Sequence, residues 1–112
     1  MELTELTNEN YIVIQIRGRL DTTNYNQLET RFMELVAAGR SRILVDCSEM
    51  DYISSSGLRV FLMALKKISA MKGKFILCSL QENIREIFGI SGFSSIFEIY
   101  PDRGAAEKSL AG

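Results

Sequence analysis

The chain has 112 residues, of which 46% are apolar and 24% charged, and its formal net charge is −1. This length suits one domain with a sizeable core, so we predict a single domain over residues 1–112. Lys and Arg are scattered, which argues against a nucleic-acid surface, and the absence of His removes the Ser-His-Asp and Cys-His catalytic arrangements.

The two cysteines, Cys47 and Cys78, lie far apart and each adjoins an apolar run. Without CxxC spacing or a histidine they do not form a zinc site, so we expect reduced, buried thiols and no metal or cofactor. The N-terminus lacks the basic and apolar regions of a signal peptide, and no apolar segment reaches the length of a membrane span. A cytoplasmic protein is therefore expected.

The first third of the sequence predicts two strands and a helix. Residues 11–16 form a β-branched and aromatic run typical of a strand, and a short edge strand precedes it at residues 3–6. Gly18 is expected to end the second strand, and the polar residues 22–24 are candidate helix caps. Apolar residues then recur at helical spacing. They are Tyr25, Leu28, Phe32, Leu35 and Val36.

The centre of the sequence predicts a buried strand and a long helix. Residues 41–46 include a continuous apolar run, which indicates a strand that is covered on both faces. Residues 47–56 are expected to connect this strand to a helix over residues 58–71. The predicted core stripe of that helix consists of Leu58, Phe61, Leu62, Leu65 and Ile68.

A second apolar set follows the same helix beside the core stripe. It is either part of a wide face that packs on the sheet, or a groove for a partner, because exposed Met adapts to binding surfaces. The sequence leaves both readings open. Lys66, Lys67 and Lys72 are expected to form the solvated side. The second set consists of Val60, Met63, Ala64 and Met71.

The last third of the sequence continues the alternation of strands and helices. We predict a strand at residues 75–78, a short helix at 82–88, a strand at 96–100, and a helix at about 103–110 that Asp102 caps. The element order is therefore β-β-α-β-α-β-α-β-α. Such an order implies an α/β fold with a largely parallel inner sheet, which an opening hairpin would make mixed.

Three consecutive serines, Ser54, Ser55 and Ser56, lie between the central strand and the long helix. One serine is enough to cap a helix. Three place additional hydroxyls at the positive end of the helix dipole, which suits an anion or a hydroxyl that becomes phosphorylated. The alternative is simple capping within a polar turn.

Three acidic residues, Asp21, Asp46 and Asp51, fall at predicted strand ends or in the loops that follow them. Partners and ligands of open α/β sheets gather where strands end, so we expect Asp21 and Asp46 to lie near the serines. Carboxylates there would repel a phosphate added to a serine. The alternative is that both are ordinary helix-entry and turn residues.

Four stretches of the chain resemble the STAS domain, and more narrowly the bacterial anti-sigma-factor antagonists. The resemblance extends from about Glu5 to Leu110 and implies a STAS-like mixed β-sheet with helices packed mainly on one side. The four stretches are Gly18-Arg19-Leu20-Asp21, Val45-Asp46-Cys47-Ser48, residues 52–58 and Ile90-Ser91-Gly92-Phe93.

The resemblance implies a regulatory protein rather than an enzyme. In this family the unmodified protein binds an anti-sigma factor that is also a serine kinase, and a sigma factor is released. The kinase then phosphorylates one serine at the start of the second helix and the complex dissociates, until a serine phosphatase restores the active form. Direct binding to nucleic acid or to a membrane is not implied.

The resemblance assigns the phosphorylated residue to Ser55. Ser54 takes the position at which many antagonists have Asp, and it is a second candidate for modification. Asp21 and Asp46 match the acids that flank the family's site. With the apolar flank of the helix, the predicted partner-binding residues are Asp21, Asp46, Ser54, Ser56, Gly57, Val60 and Met63.

Two other functions remain open from the sequence. One is a STAS module that binds a partner in a transport or signalling assembly without being phosphorylated, in which case the serines act only as caps. The other is a nucleotide-binding domain, against which the chain has neither a Gly-x-x-x-x-Gly-Lys nor a Gly-x-Gly-x-x-Gly stretch.

Overall fold

A computed structural model describes residues 1–111, and its elements follow the predicted order. The strands are β1 (Glu2–Thr7), β2 (Ile12–Leu20), β3 (Arg42–Ile53), β4 (Lys74–Cys78) and β5 (Glu98–Tyr100). The helices are α1 (Tyr25–Ala37), α2 (Ser55–Ala70), α3 (Glu82–Ile90) and α4 (Arg103–Ala111), with a short 3-10 turn at Phe93–Ser95.

The strands form one mixed sheet in the order β1-β2-β3-β4-β5. β1 pairs antiparallel with β2, and the three other pairings are parallel. The β1–β2 turn is closed by the Asn8 side chain, whose Oδ1 accepts from the backbone N–H groups of Asn10 at 2.8 Å and Tyr11 at 2.9 Å. The predicted mixed α/β sheet is thus confirmed.

The central strand β3 is longer than predicted. Residues 47–56 were expected to form a connector, but β3 continues to Ile53, and β2 continues past Gly18 to Leu20. The two extensions pair with each other, and Met50 is buried between the layers. Gly18, with a φ of 91°, lies at a register shift and forms an irregularity within β2 rather than its end.

The helices divide unequally between the two faces of the sheet. Helices α1, α2 and α3 bury their apolar residues in one large core, whereas α4 covers the opposite face through Ala106 and Leu110. The prediction that the helices pack mainly on one side of the sheet is therefore confirmed. None of the helices formed by residues 1–111 has the length and hydropathy needed to span a bilayer.

A group of aromatic rings holds the three helices of the larger core to the sheet. The Phe61 side chain of α2 is fully buried at its centre, and its ring centroid lies 6.2–6.5 Å from those of four other phenylalanines. These rings belong to α1, β4, α3 and the segment before β5. They are Phe32, Phe75, Phe88 and Phe97.

The buried face of α2 differs from the predicted one. Val60 is 2% exposed and Ala64 is 0% exposed, so both belong to the core, whereas Leu58, Leu62 and Leu65 are only half-buried. The reason is that α2 packs against both α1 and β4. These two neighbours determine which residues of α2 are buried, and the spacing of apolar residues in the sequence does not show where the neighbours lie. The prediction that Val60 contributes to a partner surface is therefore wrong.

Both cysteines are buried free thiols, as expected. Burial raises the pKa of Cys78 to about 11 and that of Cys47 well above its usual range. Burial thus favours the protonated thiol over the reactive thiolate, and both side chains pack as small apolar groups in the core.

Candidate functional site

The serine segment and Asp21 directly follow two neighbouring parallel strands that end side by side. β2 ends at Leu20 and β3 at Ile53, and these residues are register partners. Beyond them, the backbone N–H of Ser54 donates to the carbonyl oxygen of Leu20 at 2.9 Å. This bond fixes the start of α2 beside the start of the loop that leads to α1.

Ser54 is the N-cap of α2. Its backbone is extended, with φ −88° and ψ 171°, and its Oγ accepts from the backbone N–H of Gly57 at 3.2 Å. The carbonyl oxygen of Ser54 accepts from the N–H of Leu58 at 2.9 Å, the first bond of the helix. One serine of the three is therefore used as a cap, and α2 begins three residues earlier than predicted because of it.

Of the three consecutive serines, Ser55 is the most accessible from solvent. It is the first residue of α2 and is exposed, whereas Ser54 and Ser56 are half-buried. Within residues 1–111 its hydroxyl forms no hydrogen bond. Ser55 thus presents an unengaged hydroxyl at the positive end of a helix of 16 residues.

Gly57 allows the helix to start close to the sheet. The residue is buried, and a Cβ atom on it would lie 2.8 Å from Leu20 Cγ and 2.9 Å from Ile53 Cγ1. Those distances are shorter than real Cβ contacts, so any larger residue would force the buried Leu20 and Ile53 side chains or the helix itself to move. Its contribution to the site is therefore close packing, and it offers no side chain to a partner.

Asp21 is held in place by its own loop. Its Oδ1 accepts from the Thr23 backbone N–H at 2.9 Å and from the Thr23 hydroxyl at 2.6 Å, while Arg19 Nε lies 3.5 Å from Oδ2. The Thr23 hydroxyl, with help from its N–H and from Arg19, lowers the pKa of Asp21. Asn24 Oδ1 accepts from the backbone N–H of Asp21, and Asn24 Nδ2 donates to the carbonyl oxygen of Arg19, so the Asn24 side chain does not cap α1. Asp21 is thus an ionised carboxylate at the serine end of the sheet.

The structure adds two residues that the sequence did not suggest. Arg19 and Tyr52 are cross-strand partners, and the Arg19 guanidinium carbon lies 4.0 Å from the centroid of the Tyr52 ring. The Arg19 side chain is 60% exposed and Tyr52 is 38% exposed. Arg and Tyr are enriched at protein interfaces, so this pair widens the candidate surface. Both fall within the stretches that resemble STAS signatures, but only the β2–β3 register brings them together.

Asp46 lies away from this site, contrary to the prediction. It is 5% exposed, its Oδ1 accepts from the Ser48 N–H at 3.0 Å, and its Oδ2 lies 3.9 Å from Arg103 Nη1 of α4. Because β3 continues to Ile53, about 20 Å of strand separates Asp46 from the serines. The carboxylate therefore helps to attach α4 on the opposite face of the sheet.

Asp51, the third acid, is exposed near the end of β3. Its carbonyl oxygen accepts from Asn83 Nδ2 at 3.4 Å, and the carbonyl oxygen of Ser48 accepts from Gln81 Nε2 at 3.0 Å. The start of α3 thus covers the side of β3 that extends beyond the shorter β4.

A shallow groove follows the exposed side of α2 towards its C-terminal half. Its volume is about 370 Å³. Met63 lines it as a half-buried side chain that also packs against the core, and Lys66 and Lys67 are exposed. The lining residues are Arg59, Leu62, Met63, Lys66 and Lys67.

Replacing Ser54 with Ala is expected to lower the free energy of unfolding by about 1 kcal/mol, because the N–H of Gly57 loses its acceptor. Ser54→Asp keeps an acceptor and adds a favourable charge at the helix start, so it should be at least as stable as the natural chain. Urea denaturation of both variants measures the difference. Equal stability of Ser54→Ala and the natural chain would show that Ser54 does not cap α2.

Comparison with known proteins gives a consistent result. The family model of the STAS domain matches residues 3–106. A Bordetella bronchiseptica protein that bears the name anti-sigma factor antagonist BtrV is 38% identical over 106 residues, which cover 95% of this chain and 91% of that protein.

Two solved structures share the fold. A structure described as an anti-sigma factor antagonist from Thermotoga maritima superposes with a TM-score of 0.93 at 22% identity, covering 98% of this chain and 95% of that one. The phosphorylated form of the Bacillus cell fate determinant SpoIIAA superposes with a TM-score of 0.76 at 19% identity, covering 96% of this chain and 99% of that one.

Proposed function

This chain belongs to the STAS domain family, and from that membership we propose that it is an anti-sigma factor antagonist that acts by partner switching. In its unmodified form it binds an anti-sigma factor that is also a serine kinase, and a sigma factor is released. Phosphorylation of Ser55 breaks this complex, and a serine phosphatase restores the binding form. The chain is then a binding protein, and its kinase and phosphatase partners catalyse the phosphorylation and dephosphorylation.

The observation that carries the proposal is the division of roles among the three serines. Ser54 is engaged as the helix cap, whereas Ser55 is exposed and its hydroxyl is unengaged within the described residues. A kinase needs a hydroxyl that it can reach and that the fold does not require. The presence of Ser54 where many antagonists have Asp does not disturb this arrangement, since Ser and Asp are comparable N-caps.

A phosphate on Ser55 can change binding without changing the fold. In the uncomplexed protein, the N–H groups and dipole at the start of α2 favour an anion. In a complex, the same phosphate carries a charge of about −1.5 to −2 and would be buried against the partner beside the Asp21 carboxylate. A loss of about 1.4 kcal/mol in binding free energy is a tenfold loss in affinity, so a local effect is sufficient. The relative SpoIIAA is known in a phosphorylated form of the same fold.

The test is intact mass spectrometry after incubation with ATP and the anti-sigma kinase of the same organism. The natural chain should gain the mass of one phosphate, Ser55→Ala should gain none, and Ser56→Ala should behave as the natural chain. A phosphate that persists on Ser55→Ala and disappears from Ser54→Ala would move the site to Ser54. No gain on the natural chain with any serine kinase of that organism would contradict the proposal.

A further inference from the structure

We propose that the groove on α2 binds an acidic, amphipathic segment of a protein partner, and that phosphate on Ser55 weakens this binding by engaging Arg59. The first part stands on the groove itself. The second part rests on the proposed phosphorylation of Ser55. The groove in question is lined by Arg59, Leu62, Met63, Lys66 and Lys67.

The lining residues form a continuous strip along one side of the helix. They follow the spacing i, i+3, i+4, i+7, i+8, so they share one face of α2 over about 12 Å, or roughly two turns. The buried face of the helix is turned towards the sheet. The strip is thus long enough for two turns of a second helix.

The strip carries positive charge without local compensation. Arg59, Lys66 and Lys67 are all exposed, α2 contains no acidic residue, and no acidic residue lines the groove. Among residues 1–111, none of these three cations lies within 4.0 Å of a carboxylate, whereas Arg19, Arg31 and Arg103 are each ion-paired. Since the whole chain has a net charge of −1, the cationic strip is a local feature. Its electrostatic complement is an acidic surface.

The floor of the groove identifies the kind of acidic partner. It is formed by Leu62 and Met63, which are half-buried and apolar. An amphipathic helix can place apolar side chains on this floor and carboxylates against the cations at the rim, and Met adapts to such a surface. A nucleic-acid backbone would pair with the cations but leave the apolar floor without a complement. The combination favours an acidic segment of a protein.

The groove begins one helical turn from the serine site. Ser55 and Arg59 are i and i+4 residues of α2, so their side chains share a face. Both are exposed, and Arg59 has no acidic partner within residues 1–111. A phosphate on Ser55 is therefore within reach of the Arg59 guanidinium, which forms strong charge-assisted bonds with phosphate. Phosphorylation of Ser55 would therefore engage Arg59, so that its charge is no longer available to an acidic partner, and would add negative charge at the N-terminal end of the strip.

The direct test uses a synthetic helical peptide with Leu at i and i+4 and Glu on either side. Titrated into 15N-labelled protein, it should shift the amide signals of residues 59–67, with an affinity that falls as salt rises. The double variant Lys66→Glu/Lys67→Glu should bind about tenfold more weakly. Lys108→Glu, which changes an exposed charge on α4, should bind as the natural chain does.

Several outcomes of this titration would overturn the inference. The first is that a peptide with Lys in place of Glu binds as tightly as the acidic peptide. The second is that the peptide shifts amide signals outside α2 only. The third is that Lys66→Glu/Lys67→Glu binds the acidic peptide as tightly as the natural chain does. Binding of duplex DNA or of anionic phospholipid vesicles at residues 59–67, with no binding of the acidic peptide, would assign the strip to a different partner.

A second measurement tests peptide binding to the groove and phosphorylation of Ser55 independently of each other. Phosphorylated natural chain should bind the acidic peptide more weakly than the unmodified chain, and Arg59→Gln should reduce that difference. If the chain is not phosphorylated by any kinase of its organism but binds the peptide on α2, the proposed function fails and the groove stands. If the kinase phosphorylates Ser55 but the acidic peptide does not bind at residues 59–67, the groove fails and the proposed function stands.

Discussion

Replacing Phe61 with Ala is expected to lower the free energy of unfolding by about 4 kcal/mol. The Phe61 ring is fully buried and contacts rings from both neighbouring helices and from the sheet, so the substitution leaves a cavity that no single element can fill. Because small domains have total stabilities of about 5–15 kcal/mol, a large part of the stability would be lost. Urea denaturation followed by circular dichroism measures the change.

The control for this experiment is a truncation at the surface. Met33 on α1 is 36% exposed, and Met33→Ala should change the free energy of unfolding by no more than about 0.5 kcal/mol. A cost below about 1 kcal/mol for Phe61→Ala would mean that the aromatic group does not hold the three helices to the sheet as described.

Replacing Ser55 with Asp is expected to lower affinity for the anti-sigma factor about 100-fold, because a like charge placed in a desolvated interface costs several kcal/mol. The fold should not be weakened, since a carboxylate in the first turn of α2 interacts favourably with the helix dipole. Isothermal titration calorimetry measures the affinity, and thermal unfolding shows that the variant remains folded.

Thr7→Asp is the control for this second experiment. It adds the same charge to an exposed hydroxyl residue at the end of β1, which pairs with the start of β2 at the end of the sheet opposite to the serine site. Its affinity for the anti-sigma factor should stay within about twofold of the natural chain, because a remote exposed charge is screened by salt. If Ser55→Asp also binds like the natural chain, the evidence favours a STAS module that is not regulated by phosphorylation.

Two of the stretches that resemble STAS signatures have distinct physical roles at the serine site. The end of β2 and the end of β3 are tied by the Ser54–Leu20 backbone bond, and Gly57 lets α2 approach both strands. As a result, the start of α2 is supported by packing rather than by the serine side chains alone. This leaves Ser55 available for modification at no cost to the fold.

Local features of this protein could be predicted from its sequence. The element order, the opening hairpin, the cap of α4 by Asp102 and the presence of a serine cap on α2 all follow from residues within one or two turns of each other. Such signals depend on side-chain period and on hydrogen bonds to the nearest backbone groups. A local hydrogen bond also distinguishes the roles of Ser54 and Ser55 in the structure, since only Ser54 accepts from the N–H of Gly57. The sequence predicted a serine cap but did not identify which of the serines it is.

Long-range features were decided only by the tertiary structure. Asp46 was expected beside the serines, but the extended pairing of β2 with β3 moves the strand end to Ile53 and leaves Asp46 under α4. Val60 was expected near the surface, but contacts of α2 with both α1 and β4 bury it. The Arg19–Tyr52 pair exists only through cross-strand register. Strand length, register and the choice of buried face depend on partners distant in sequence, and one residue of difference in register reverses which side chains face the core.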